Sequence, residues 1–148
     1  MMAMEQLVAF RLGREEYAIS ISQVKEIVRY SGATKLPNTP AHMEGIINLR
    51  SNVIPVVNLA KRFDLPVEEV KAKQVVILET AGLEVGVIVD EVTEVLMIEE
   101  ENMEPAPMME QQEAFFRGIG KLGDRLMLIL DLDVLFDREE TEMLQNVG

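Results

Sequence analysis

Few residues in this chain have the types and spacing that catalysis or cofactor binding requires. The segment 118–123 has the spacing of the dinucleotide-binding fingerprint G-x-G-x-x-G. That fingerprint works only where it joins a strand to a helix whose N-terminus faces the pyrophosphate. Here Asp124 and Arg125 are followed by a run of apolar residues, 126–130, which is typical of a strand. Nucleotide binding is therefore not expected.

Nucleophilic and metal-binding groups are also scarce. The chain has no cysteine, and its only histidine, His42, could support a Ser-His-Asp arrangement only within one proline-rich loop. Asp131 and Asp133 resemble the start of a calcium loop, but Leu135 fills the next ligand position. We expect these aspartates to lie at a strand end and cap the following turn. The sequence predicts no catalytic residues, no cofactor and no metal, although no spacing excludes a carboxylate pair among the 26 acidic residues.

Charge and composition exclude several classes of partner. The net charge is −12, from 26 acidic and 14 basic residues. No cluster of Lys and Arg offsets it, so binding to nucleic acid or to an anionic membrane is not expected. The longest apolar runs are too short to cross a bilayer, and the N-terminus lacks the pattern of a signal peptide. With no cysteine to form disulfides, these features predict a cytoplasmic protein without direct membrane insertion.

An internal repeat determines the architecture that we expect. Residues 45–63 align without gaps on residues 118–136, and share a glycine, an isoleucine, two leucines and the closing phenylalanine. At a slightly different offset, 22–28 aligns with 90–96, and 7–10 aligns with 75–78. Two copies are too few for a solenoid, and each alone would be near the lower size limit for a stable core. We therefore expect two small, pseudo-symmetric halves that pack together as one cooperative body.

Short strands separated by turns are predicted in both copies. Beside the hairpins, the predicted strands are 7–12, one beginning at 17–19, 30–36, 73–80 and 85–89. Ser20 and Gln23 have capping-box spacing, which predicts a short helix that turns Val24 and Val28 inward. Ile27 on this helix either completes the core or emerges beside it. Asp90 would cap the equivalent helix of the second copy.

Two long hairpins follow these predicted helices. The first spans 45–58 with its turn at Ser51-Asn52, and the second spans 118–131 with its turn at Gly123-Asp124. Pro55 lies within the first hairpin, and because it lacks an amide hydrogen it should be tolerated only at an unpaired or bulged edge. Neither copy contains a helix long enough for a parallel crossover. Two five-stranded barrels that face each other are the favoured architecture.

Two residues allow both a structural and a functional interpretation. Arg50 lies near the tip of an otherwise apolar hairpin. It is either a solvated turn residue or a contact residue, since arginine is enriched at hot spots and pairs with carboxylates. Gly86 lies within a strand, where glycine often marks close approach of another backbone.

The sequence resembles the CheW family of chemotaxis coupling proteins from about Leu7 to Phe136. The segments that carry the resemblance are Tyr17-Ala-Ile19, 24–27, Asn38-Thr-Pro40, 45–50, 54–59, 85–90, 118–120 and 128–131. The resemblance implies a mainly β fold of two SH3-like five-stranded β-barrels, related by a pseudo-twofold axis, with short helices. Residues 4–137 would form one CheW-like unit, with the first copy at 7–63, the second copy at 75–136 and a tail at 138–148. Strands of the family can cross between barrels.

The resemblance also implies a non-catalytic adaptor in bacterial chemotaxis. Such proteins link the cytoplasmic tip of chemoreceptors (methyl-accepting chemotaxis proteins) to the regulatory domain of the histidine kinase CheA. The residues at positions associated with kinase contact are Glu26, Ile27, Gly45, Val75 and Val76. Those at positions associated with receptor coupling are Val24, Arg50, Gly86 and Val92. Ser51 departs from the family, which usually has glycine after Asn-Leu-Arg, so the direction of Arg50 is left open.

Of two alternative functions, the first stays open at this point and the second fails within this chain. A small enzyme or ligand-binding barrel would need a polar pocket that holds His42 or clustered carboxylates. The regulatory piece of a larger signalling protein would need a further domain, and only about a dozen residues follow Phe136.

Overall fold

The computed structural model describes residues 4–66, 73–80, 82–104 and 116–135. The strands in these ranges are β1 Met4–Leu12, β2 Glu15–Ser20, β3 Val24–Arg29, β4 Met43–Leu49, β5 Asn52–Asn58, β6 Gln74–Thr80, β7 Leu83–Val89, β8 Glu91–Glu99, β9 Met103–Glu104, β10 Phe116–Leu122 and β11 Arg125–Leu130. The helices are α1 Leu59–Arg62 and α2 Leu132–Leu135, with 3₁₀ turns at Ile21–Gln23 and Glu100–Asn102. The predicted tail at 138–148 lies outside the described residues.

The strands form two sheets. One has the order β8-β1-β2-β11-β10-β9, and the other has the order β3-β6-β7-β5-β4. Neighbouring strands are antiparallel except for β2 with β11 and β5 with β7, which are parallel. Because β9 has only two residues, each sheet is built from five strands of ordinary length. The prediction of a mainly β protein with two five-stranded units is confirmed.

The strand registers reproduce the sequence repeat. Ala18 lies opposite Ile129, and their repeat equivalents, Gly86 and Val56, lie opposite each other. Each sheet contains strands from both sequence copies. β1 and β2 of the first copy lie in the six-stranded sheet with β8 to β11, and β6 and β7 of the second copy lie in the five-stranded sheet with β3 to β5. Neither copy could complete a sheet alone, so the two halves depend on each other for folding.

Alternation along the central strands divides the apolar side chains among three clusters. On β6, Val75 and Ile77 point into the core of the five-stranded sheet, while Val76 and Leu78 point into a core between the two sheets. This second cluster, hereafter the shared core, contains Phe10 and residues from both sequence copies. A third, smaller cluster fills the six-stranded sheet. The shared core contains residues of both sequence copies, which agrees with the expectation that the two halves pack as one body.

The two helices predicted after the first strands are wrong. Ser20 makes no side-chain capping bond, and after a single 3₁₀ turn the chain enters β3. Asp90 likewise precedes strand β8, and its carboxylate accepts the backbone N–H of Gly13 at 2.6 Å. Both segments are rich in Val and Ile, which favour strands, and β6 and β1 offer them unpaired edges. Pairing between strands that are distant in sequence outweighs the local capping signal.

The first hairpin corrects two further predictions. Its turn is at Arg50 and Ser51, one residue earlier than predicted, because Leu49 pairs with Asn52. Pro55 lies in the inner strand β5 rather than at an edge. It faces Ile46, whose own N–H and carbonyl both bond to Thr34 on the opposite side of β4. The ladder between β4 and β5 therefore needs no hydrogen from Pro55.

Other predicted elements are reproduced more closely. The second hairpin turns at Gly123-Asp124 as predicted, and strand β11 follows it in place of a nucleotide-binding helix.

The strand predicted at 30–36 is wrong, since within it only Thr34 forms a bridge, to Ile46. No helix among the described residues is long and apolar enough to span a membrane.

Candidate protein-binding surfaces

Strand β3 carries three of the predicted contact residues on the edge of the five-stranded sheet. Its exposure alternates, so that Val24 and Glu26 are half-buried while Ile27 is 37% exposed. Strand geometry explains the alternation, because successive side chains point to opposite faces. Of the two alternatives for Ile27, emergence beside the core is therefore correct.

Arg50 at the hairpin tip reaches the edge strand β3. Its guanidinium contacts the carboxylate of Glu26 through Nη2–Oε2 at 2.8 Å and Nη1–Oε1 at 3.1 Å. The Arg50 side chain is 74% exposed and that of Glu26 is 22% exposed. Arg50 is thus neither a freely solvated turn residue nor a buried one, because one face is held by Glu26 and the rest is open to a partner.

The turn that presents Arg50 has an unusual backbone. Arg50 and Ser51 have φ values of 52° and 69°, and a positive φ at both central positions is the requirement of a type I′ turn. This turn matches the twist of the flanking strands, so a two-residue connection suffices. Ser51 adopts the left-handed conformation that glycine takes more readily, at a cost in stability.

Val75 and Val76 are fully buried on β6, directly behind β3. Val76 lies opposite Ile27 and Val75 lies opposite Val28. No partner can touch these valine side chains without unfolding the strand. Their contribution to any surface is to fix the position of β3.

Gly86 and Gly45 are required by close packing. A Cβ added at Gly86 would lie 2.7 Å from Cγ1 of Val75, so the predicted close approach exists, but to a side chain. A Cβ added at Gly45 would lie 2.1 Å from the backbone oxygen of Thr34, and Gly45 also has φ of 141°. Both glycines are buried, and both therefore position β6 and β4 rather than offer contact area.

Val92 lies on β8 in the other sheet, opposite Phe10. Val92 and Val24 are repeat equivalents, and both pack half-buried against the shared core. The backbone N–H of Val92 donates to Oε1 of Gln74 at 2.7 Å, which links β8 to the start of β6. These two valines thus lie at corresponding margins of the shared core.

The predicted sites are distributed unevenly over the structure. The residues of β3, with Val75, Val76 and Gly86 behind them and Arg50 across from them, belong to one connected region of the five-stranded sheet. Val92 is carried by the six-stranded sheet. The Arg50–Glu26 ion pair joins a residue matched to receptor coupling with one matched to kinase contact.

Several exposed features escaped the sequence interpretation. The large apolar side chains that are most exposed among the described residues are Met4, Val53, Val95, Met97 and Leu126. Arg125 pairs with both Glu16 and Glu94, and these hydrogen bonds raise the pKa of its guanidinium above the ordinary value. For two of the exposed apolar residues, the sequence repeat contains a signal, because it aligns Val95 with Ile27 and Leu126 with Val53.

Two further features of the described part of the chain concern metal-binding clusters and the predicted turn-capping aspartates. No group of three or more His, Cys, Asp or Glu residues there could hold a metal ion. Asp131 lies between β11 and α2, and its Oδ1 accepts the backbone N–H of Asp133 at 3.1 Å. The predicted turn-capping role of Asp131 is therefore confirmed.

Comparison with known proteins gives a consistent result. Residues 6–140 match the family model described as a CheW-like domain. The probable chemotaxis protein CheW of Rhizobium etli is 34% identical over 93% of this chain and 90% of its own length. The chemotaxis protein CheW of Bacillus subtilis is 34% identical with the same coverage of both chains.

A solved structure also matches. The crystal structure of the scaffolding protein TtCheW from Thermoanaerobacter tengcongensis has 38% sequence identity and a TM-score of 0.86. The match covers 93% of this chain and 91% of that one. Sequence and structure therefore agree along nearly the whole chain.

Proposed function

The chain belongs to the CheW-like family, and on this premise we propose that it couples a chemoreceptor to the histidine kinase CheA through two adjacent contact regions. Its role as a non-catalytic chemotaxis adaptor follows from the family, whose named members are chemotaxis scaffold proteins. For the same reason, a small enzyme or ligand-binding barrel is not favoured. The specific partners, the regulatory domain of CheA and the receptor tip, are the proposal, and they imply a cytoplasmic location.

The observation that carries the proposal is the ion pair between Arg50 and Glu26. It holds an exposed guanidinium beside the edge strand β3, where Ile27 is also exposed. Because Glu26 and Ile27 alternate along β3, Arg50 and Ile27 flank the two faces of one edge strand, and arginine is a residue type enriched at protein-binding hot spots. The fixed position lowers the entropy that would be lost on binding.

We assign kinase contact to the outward side of β3. Ile27 supplies apolar area, and Glu26 supplies a carboxylate at its border. Val75 and Val76 are buried on the adjacent strand β6 and support β3, whereas buried Gly45 fixes β4 against Thr34. Substitutions at these three positions would act through displacement of β3 and β4.

Receptor coupling is assigned to Arg50 and to the margin of the shared core. Val24 and Val92 pack half-buried against that core from the two sheets, so both leave part of their apolar surface open to a helical hairpin of the receptor. Gly86 supports the region indirectly, because it allows β7 to pack against Val75.

Titration of the full chain with each partner tests the proposal. The probes are the isolated regulatory domain of CheA and a soluble receptor fragment that contains the cytoplasmic tip, measured by isothermal calorimetry. Saturable binding of both, singly and together, is the expected result. Failure of either fragment to bind the folded chain would remove that partner from the proposal.

A further inference from the structure

Two strand edges lie beside an open cleft of the five-stranded sheet. β3 and β4 are the outer strands of that sheet, and among the described residues no ladder joins them. A cleft of about 470 Å³ is lined by residues 28–34, which end β3 and follow it, and by residues 46–49 of β4. Pockets of this size accommodate several side chains.

Backbone groups on both edges point away from their own ladders. The Tyr30 N–H donates to the Lys73 carbonyl at 2.9 Å, toward the β6 side, so the backbone groups of Arg29 point away from β6. Ile46 bonds to Thr34 on the outer side of β4, and Asn48, two residues later, has the same orientation. The described ladders provide no partner for these groups of Arg29 and Asn48.

The cleft has an apolar floor. Val28, Ile47 and Leu49 line it and also pack against the core of the five-stranded sheet. Val75, which is buried, lies beneath. Alternate side chains of an added strand would enter this floor, since strand side chains alternate in direction.

Cations without a carboxylate partner among the described residues adjoin the cleft, although the chain as a whole carries −12, and the carboxylates beside it, Glu44 and Glu26, are paired with Lys61 and Arg50. Arg29 lines the cleft, and Lys35 and Lys73 adjoin the segments that form it. None of these three cations forms an ion pair with another described residue, whereas Arg50 is paired with Glu26. The cleft therefore complements an acidic segment.

The six-stranded sheet, which contains the second hairpin, covers the equivalent edge, that of β10, more fully. There β9 pairs with β10 through Ile119 with Glu104 and Gly120 with Met103. In the five-stranded sheet, the corresponding edge of β4 is covered by one bridge, Thr34 with Ile46. Unprotected edges are templates for strand addition. The difference between the two sheets therefore leaves the edge of β4 available to an added strand.

We propose that this cleft binds an extended acidic segment of a partner protein, which adds as a strand along the edge of β4. Its backbone would bond to Asn48, its apolar side chains would contact Val28 and Leu49, and its carboxylates would face Arg29. Strand addition of this kind takes affinity from main-chain bonds and specificity from alternate side chains. The site adjoins the Arg50–Glu26 ion pair, since Leu49 precedes Arg50 and Glu26 lies two residues before Val28, but it contains neither residue of the pair.

Fluorescence anisotropy with a labelled peptide tests the proposal. The probe is a capped peptide of alternating Val and Glu, about eight residues long, and the matched control alternates Val and Lys. The full chain should bind the acidic peptide, and affinity should fall as NaCl is raised. Arg29→Glu should weaken binding at least about tenfold. Asn48→Pro removes an outward N–H that an edge strand can spare, and it should weaken binding similarly.

The controls make the outcome decisive. Arg125→Glu, a charge reversal in the other sheet, should leave peptide affinity unchanged, and circular dichroism should confirm that each variant is folded. If Asn48→Pro does not fold, Arg29→Glu and the salt dependence decide. The proposal is overturned if the wild-type chain does not bind the acidic peptide, if the Val-Lys peptide binds equally well, or if Arg29→Glu has no effect.

Discussion

Arg50 and Glu26 form a two-contact ion pair that connects the tip of the β4–β5 hairpin to the edge strand β3, with nitrogen–oxygen distances of 2.8 and 3.1 Å. The two residues are separated by β3, a long loop and β4 in the sequence. The pair places a proposed receptor residue against a proposed kinase residue. Any partner that draws Arg50 away therefore changes the surroundings of Glu26.

Arg50→Ala and Glu26→Ala should each change the free energy of unfolding by less than about 1 kcal/mol, because the Arg50 side chain is 74% exposed and solvent screens the pair. Urea denaturation of both single variants and of the double variant measures the coupling energy. A loss of several kcal/mol in either single variant would mean that the pair is structural, contrary to the exposure of Arg50.

Gly45→Ala should destabilise the chain more than Gly86→Ala. The added methyl at Gly45 meets a backbone oxygen at 2.1 Å, and φ is 141°, whereas at Gly86 it meets the Val75 side chain at 2.7 Å. For Gly86→Ala we expect a loss of about 1–3 kcal/mol, typical of overpacking. Gly123→Ala is the matched control, because nothing lies within 4 Å there and only φ of 58° opposes it. Equal losses at Gly45 and Gly123 would contradict the packing argument.

Ser51→Gly should stabilise the chain by about 0.5–1 kcal/mol, because glycine adopts positive φ without steric cost. The measurement is the midpoint of urea unfolding. Ser31→Gly, in a loop position without positive φ, should not stabilise. Destabilisation by Ser51→Gly would show that the serine hydroxyl matters more than the strained φ of 69°.

Acid should weaken the link between β1 and β10. Arg117 donates two hydrogen bonds of 2.7 Å to Glu5, and these bonds lower the pKa of Glu5 below 4.5. Because the folded pKa is lowered, the stabilisation is present above the unfolded pKa and is lost as pH falls through the folded value. The effect should be at most about 1 kcal/mol, since the pair is partly exposed. Unfolding of Glu5→Gln and wild type should therefore differ at pH 7 and converge once the pH falls below the lowered pKa of Glu5. A constant difference at all pH values would exclude this explanation.

Much of the fold could be predicted because its signals are local or repeated. Turn residues such as Gly123 marked one long hairpin, and the alignment of 45–63 with 118–136 predicted two similar units. The helices predicted after Ser20 and at Asp90 failed, since a capping pattern says nothing about the edges of β6 and β1. The exchange of strands between the two sequence copies could not be predicted from these patterns either, because a pattern within one copy does not indicate which strand of the other copy it pairs with.

The candidate site was predictable only in part for a related reason. Resemblance supplied the positions, but not their exposure. Val75 and Ile27 have equally apolar side chains, and only the register of β6 with β3 makes one buried and the other exposed. The contact of Arg50 with Glu26 depends on how the hairpin tip meets β3, which no spacing along the chain encodes.

The most direct test of the adaptor mechanism compares Arg50→Glu and Ile27→Asp in calorimetric titrations with the receptor fragment and the CheA regulatory domain. Arg50→Glu should weaken receptor binding about tenfold or more and weaken kinase binding less, through the loss of its pair with Glu26, whereas Ile27→Asp should weaken kinase binding about tenfold or more and leave receptor affinity within about threefold. The matched controls, Arg125→Glu and Met4→Asp, should bind both partners normally. Unchanged receptor binding by folded Arg50→Glu together with unchanged kinase binding by folded Ile27→Asp would contradict the account.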